Sequence, residues 1–166
     1  MMANMTNRLK APGFRKVSLP YIGRYLKEAG LDVERERDTY YVGLVQDRDL
    51  SIRWENSVLS VAVALPVEEK EIESAATVAT ATIAQVDMAK IFLTSGNDEP
   101  NLWFSIDATC RTRSQFEDIF RQTFEQLLKL VREYQNLRYI IAKTKQDKAM
   151  PPLSEQEADC HRAESS

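Results

Sequence analysis

The sequence predicts an α+β fold, an antiparallel sheet of about five or six strands flanked by helices. Three observations lead there. Residues 32–65 hold a run of short strand patterns cut by polar turns, with a clean period of two over residues 50–55. A second pair of strand patterns spans residues 89–110. Segments with apolar residues every three or four positions stand before, between and after these strands. The resulting order is α-β-β-β-β-α-β-β-α, with helices packed chiefly on one face.

The first helix begins after Ser18, a good N-cap, carries Pro20 in its first turn and stops at Gly30. Ile22, Tyr25, Leu26 and Ala29 draw one apolar stripe. Gly23 weakens the helix by roughly 1 kcal/mol relative to Ala, so it must rely on packing. Asp32 to Arg37 is polar apart from Val33, the composition of an exposed edge strand. Asp38-Thr39 turns the chain into Tyr40 to Val45, and Asp47-Arg48-Asp49 turns it again. Leu50, Ile52 and Trp54 alternate with Ser51, Arg53 and Glu55, which gives a strand with one buried face. Glu55-Asn56-Ser57 supplies a hairpin turn. Val58 to Leu65 is apolar on both faces apart from Ser60, as expected of a central strand or one beneath a partner.

Pro66 ends this meander. Glu68, Glu69 and Glu71 crowd the first turn of a second helix, where the helix dipole favours anions. Ile72, Ala75, Ala76, Ala79 and Ile83 form its expected stripe, and the small residues permit close approach of a sheet or a second copy. Thr77, Thr80 and Thr82 lower its propensity. Ala89 to Ser95 is a strand containing Ile91, Phe92 and Leu93, and Gly96-Asn97-Asp98-Glu99-Pro100 is a dense turn signal. Leu102, Phe104, Ile106, Ala108 and Cys110 then face a core, while Trp103 stands on the opposite face.

The last helix has N-cap candidates at Thr112 and Ser114, each with Gln115 or Glu117 three residues on. Phe116, Phe120, Phe124, Leu127, Val131 and Tyr134 form its stripe, widened by Ile119, Leu128 and Leu130. Helical pattern runs on to about Lys145, a length of roughly 50 Å, more than a small domain usually covers. The far end, with Leu137, Tyr139, Ile140 and Ile141, is therefore expected to meet another chain. Together with Trp103, these four are the candidate partner-binding residues. The expected core comprises Ile22, Leu26, Leu44, Ile52, Trp54, Val61, Val63, Phe92, Phe104, Ile106, Phe116, Phe120, Phe124 and Leu127. Residues 1–16 read as a flexible basic arm, 17–145 as a single α+β domain and 146–166 as a disordered polar tail.

Composition excludes several function classes. The net charge of −3 is too near neutral to indicate nucleic acid, although Lys129, Arg132, Arg138, Lys143, Lys145 and Lys148 make the last helix basic. Cations near a helix C-terminus are favoured by the dipole in any case. No apolar run approaches the roughly 18 residues that span a bilayer, and no signal-peptide core stands at the N-terminus, so a cytoplasmic, membrane-free location is expected. Two cysteines, Cys110 and Cys160, and the single His161 cannot build a Cys/His zinc site. His161 lies in the polar tail, which argues against a histidine-based catalytic group. Asp47 with Asp49, and Glu34 with Glu36, are spaced as a solvated face is, and the five scattered glycines write no phosphate loop. No catalytic residue, cofactor or metal ligand is expected.

The segment Tyr25-Leu26-Lys27-Glu28-Ala29-Gly30-Leu31, the Leu50–Leu65 double strand, the Ala89–Ser95 strand and the Phe116–Phe120–Phe124 helix occur in the order seen in one known family. Over about residues 17–140 the chain resembles the YbjN-like family, provisionally labelled bacterial sensory transduction regulators. That family is similar in fold to the type III secretion chaperones. The resemblance implies a type III secretion chaperone-like fold, a homodimer and no catalytic residues. A non-enzymatic protein-interaction module follows, chaperone-like or a regulatory adaptor, binding a protein partner by apolar sheet surface or strand addition. The alternative is a small-molecule sensor or an enzyme of unfamiliar type, with a pocket between the sheet and the last helix.

Overall fold

The structure is a computed structural model that describes residues 15–44, 48–84, 86–94 and 100–149. The described residues through Tyr134 form one compact unit, and those from Gln135 form a second.

Helix α1 runs Leu19–Glu28 and ends in a Schellman cap. Gly30 (φ 80°) donates its N–H to the Lys27 carbonyl, and Leu31 donates to that of Leu26. Four strands follow: β1 (Val33–Glu36), β2 (Thr39–Leu44), β3 (Arg48–Glu55) and β4 (Val58–Pro66). A single 3-10 turn, Glu69–Glu71, leads into α2 (Ile72–Ile83). Strands β5 (Ala89–Thr94) and β6 (Asn101–Thr109) precede the long helix α3 (Arg113–Ala149). All six strands form one antiparallel sheet in the order β1-β2-β3-β4-β6-β5. Among the described residues the order of helices and strands follows the predicted one, with a 3-10 turn added before α2. Asn56 and Ser57, with φ of 50° and 66°, form the two-residue turn between β3 and β4. Both lie in the left-handed region, which lets the turn match the twist of its strands.

The register sorts the sheet into two faces. One face carries Tyr40 and Val42, Leu50 and Ile52, Leu59, Val61, Val63 and Leu65, and Leu102, Phe104 and Ile106, all buried. The buried residues of α1, of α2 and of α3 up to Tyr134 join these in one core. Each fully buried Leu, Ile or Phe there contributes roughly 1.5–3 kcal/mol. Phe104 meets Tyr134 at 4.9 Å between ring centroids. Tyr21 and Tyr25 both pack edge-on against Phe116, which ties α1 to α3.

Several expected core positions move. Phe92 lies on the opposite face and is exposed, because Ile91 is the β5 residue paired with Phe104. Trp54, Phe120 and Phe124 keep to the core side but are only half-buried, at its margin. Leu128 points outward, and Thr123 takes a buried place on α3 instead. In α2 the buried set is Ala75, Val78, Ala79 and Thr82, rotated from the expected stripe. Thr82 tolerates burial because its hydroxyl donates to the Val78 carbonyl at 2.8 Å. The Leu44 side chain, the turn at residues 95–99 and most of the expected arm and tail lie outside the described residues.

Candidate functional site

Among the described residues of the first unit, the helices pack on the core face of the sheet, and none lies on the second face. Its central strands present Ser51, Arg53 and Glu55 from β3, Val58, Ser60, Ala62 and Ala64 from β4, and Trp103, Ser105 and Asp107 from β6. β5 adds Lys90, Phe92 and Thr94. Ala62, Ala64 and Ser105 are small and buried between longer neighbours. The result is a shallow trough of about 420 Å³, bordered by Arg53, Lys90, Phe92 and Asp107.

The trough has a polar half and an aromatic half. In the polar half, Ser60 Oγ donates to Asp107 Oδ1 at 2.6 Å, and Lys90 Nζ donates to Asp107 Oδ2. Burial pushes the Asp107 carboxyl up, but the hydrogen bonds from Lys90 and Ser60 outweigh it and hold the group below the usual carboxylate range. Asp107 therefore remains an anion at neutral pH and is unsuited to proton transfer there. Arg53 is claimed by Asp38 at 3.1 Å and Glu55 at 2.6 Å. Positive and negative groups cancel locally, which gives the trough no net attraction for a charged small molecule.

The aromatic half is built on β5 and β6. Phe92 stacks on Trp103 with ring centroids 5.7 Å apart, and Trp103 Nε1 donates to Thr94 Oγ1 at 3.1 Å. Trp103 lies on the face opposite Leu102, Phe104 and Ile106, as strand parity predicts, and is half-buried there. Phe92, assigned to the core by sequence, completes that patch. The missed signal is parity. Lys90 and Phe92 are two residues apart and share a face, and a charge at one end of a half-buried strand marks the outer side.

The other four candidates lie on the second unit's part of α3. Leu137, Tyr139, Ile140 and Ile141 are 39%, 68%, 57% and 41% exposed. Leu137, Ile140 and Ile141 sit at i, i+3 and i+4 and share one helix face, whereas Tyr139 points to the other side. Among the carboxylate pairs, Glu34 and Glu36 are exposed on β1, and the side chains of Asp47 and Asp49 lie outside the described residues.

No family model matches the chain, and no curated protein matches it by sequence. Its fold has a solved counterpart. The chain is similar to the crystal structure of YbjN, a candidate transcription regulator from E. coli, with a TM-score of 0.61 and 17% identity. The match covers 74% of this chain and 94% of that one. The chain has a YbjN-like fold.

Proposed function

We propose that this chain is a cytoplasmic protein-interaction module, a chaperone-like or regulatory adaptor that works as a homodimer and not as an enzyme. One observation carries the proposal. The exposed large apolar side chains gather in two places: Met88, Phe92 and Leu93 at β5, and Leu137, Tyr139, Ile140 and Ile141 on α3. Leu128 is the one other such residue among those described. Clustered apolar exposure marks surfaces that meet other proteins, whereas single exposed apolar residues are commonplace. Tyr, Trp and Phe are enriched at the centres of interfaces.

Two further observations support this over a pocket-based activity. Phe104 on the sheet and Phe116, Leu127 and Leu130 on the first unit's part of α3 are all fully buried in one core. The E. coli protein of like fold is described as a candidate regulator, which fits an adaptor role. No helix among the described residues is long and apolar enough to cross a membrane.

The test is site-specific photo-crosslinking of the full chain in cells. A photo-reactive residue at Met88 or Tyr139 should yield discrete protein adducts, and one at the exposed Lys27 should not. Adduct patterns at Met88 and Tyr139 no different from that at Lys27 would count against the proposal.

A further inference from the structure

We infer that the edge of β5, which no strand among the described residues pairs with, joins β5 of a second copy of this chain, antiparallel and with Phe92 opposite Phe92. The inference rests on the self-association proposed above and gives it a location. It begins from the two edges of the sheet, β1 and β5, which differ in kind.

An unpaired edge offers a row of backbone donors and acceptors to any other strand, and proteins blunt such edges with short strands and charges. β1 is blunted in this way. It has four residues, Val33-Glu34-Arg35-Glu36, and its three charged residues are exposed. β5 is not. It has six residues, Ala89-Lys90-Ile91-Phe92-Leu93-Thr94, with one charge. That charge is engaged within the chain, by Asp107 of the neighbouring strand. Phe92 and Leu93 are 46% and 42% exposed, one on each face of the sheet. Such an edge calls for a partner strand.

The chemistry of the strand selects a copy of itself. A two-fold axis perpendicular to the sheet leaves each face on its own side, so paired residues must share parity. The register centred on Phe92 then sets Ile91 opposite Leu93 on the helix face, twice. On the open face it sets Lys90 opposite Thr94 and Phe92 opposite Phe92. No like charges face each other. The strand spacing of about 4.8 Å carries the Phe92–Trp103 stack across the junction, making a row of four rings. The same operation on β1 fails. Centred on Glu34 it opposes two glutamates, and centred on Arg35 it opposes two arginines. Like charges directly opposite are destabilising.

The experiment uses the full chain with Cys160→Ser, Cys110 being buried. In the proposed register the two Cα atoms at position 92 lie about 4.5–5.5 Å apart, within disulfide reach. Phe92→Cys should therefore form a covalent dimer under mild oxidation roughly tenfold faster or more than Val33→Cys on the other edge. Light scattering then separates the readings. The combined Phe92→Lys and Leu93→Lys chain should be monomeric, and the combined Leu137→Gln, Ile140→Gln and Ile141→Gln chain should stay dimeric. A dimer that survives the β5 changes overturns this inference and leaves homodimerisation standing. A monomeric unmodified chain overturns both. Should the lysine variant fail to fold, the disulfide rate decides alone, and a rate equal to that of Val33→Cys refutes the register.

Discussion

Phe92 and Trp103 lie face to face on the side of the sheet opposite the core, their planes 4° from parallel. They are directly opposite in the β5–β6 register, so the backbone holds the stack in place. A cross-strand aromatic pair of this kind contributes about 0.5–1.5 kcal/mol beyond the area it buries. A double-mutant cycle of Phe92→Ala and Trp103→Ala, followed by urea unfolding, should return a coupling in that range. Strict additivity would mean that the rings act independently.

Gly23 owes its place to Tyr40. A Cβ on Gly23 would come within 2.4 Å of the Tyr40 hydroxyl and 2.7 Å of its ring. The ring cannot step aside cheaply, because it is buried and its hydroxyl donates to the Leu19 carbonyl at 2.9 Å. Alanine would gain roughly 1 kcal/mol of helix propensity, but overpacking a core costs about 1–3 kcal/mol. Gly23→Ala should therefore destabilise the chain on balance. In a Tyr40→Val background the same change should become neutral or stabilising. A stabilising effect in the native background would contradict the account.

The order of elements was legible in the sequence because period and punctuation agree. Leu50-Ile52-Trp54 alternates cleanly, Gly30 closes α1, and Phe116 to Tyr134 repeats at four and three. The assignment of faces failed where three apolar residues run together. Ile91-Phe92-Leu93 hides its own parity, and only pairing with β6 shows which of the three points outward. The stripe of α2 was hidden for a related reason. Alanine and threonine differ little in size, so the buried side is set by contact with the core and not by hydrophobicity. The distal α3 candidates were visible because a helix of 37 residues outruns the aromatic stripe that anchors its start. Whether those residues have a partner is not encoded in any local pattern, since complementarity belongs to two surfaces.

Asp107 gives the sheet a pH dependence of definite sign. Its carboxyl titrates below the ordinary value of 3.8, because Lys90 and Ser60 outweigh the effect of burial. In that window the unfolded chain binds more protons than the folded one, so stability rises with pH. The contribution is complete above the ordinary value and is lost as pH falls through the lower, folded one. Urea midpoints taken from about pH 6 down to about pH 2 should fall less steeply for Asp107→Asn than for the native chain. At neutral pH the substitution should cost about 1 kcal/mol. Identical slopes would show that the Lys90–Asp107 pair adds nothing.

Ser57 sits at φ 66° without being glycine. A left-handed conformation costs a side-chain-bearing residue roughly 1 kcal/mol, and Asn-Gly is the preferred pair for this turn. Ser57→Gly should raise the thermal midpoint, with a gain of about 0.5–1 kcal/mol in urea unfolding. A loss of stability would imply that the Ser57 side chain holds the turn.

The central claim, that this fold works through contact with other chains and first with its own copy, is tested most directly by mass. Light scattering behind a sizing column should find the full 166-residue chain at twice its 19.0 kDa across a range of micromolar loadings. A mass of one chain at every loading would contradict the account.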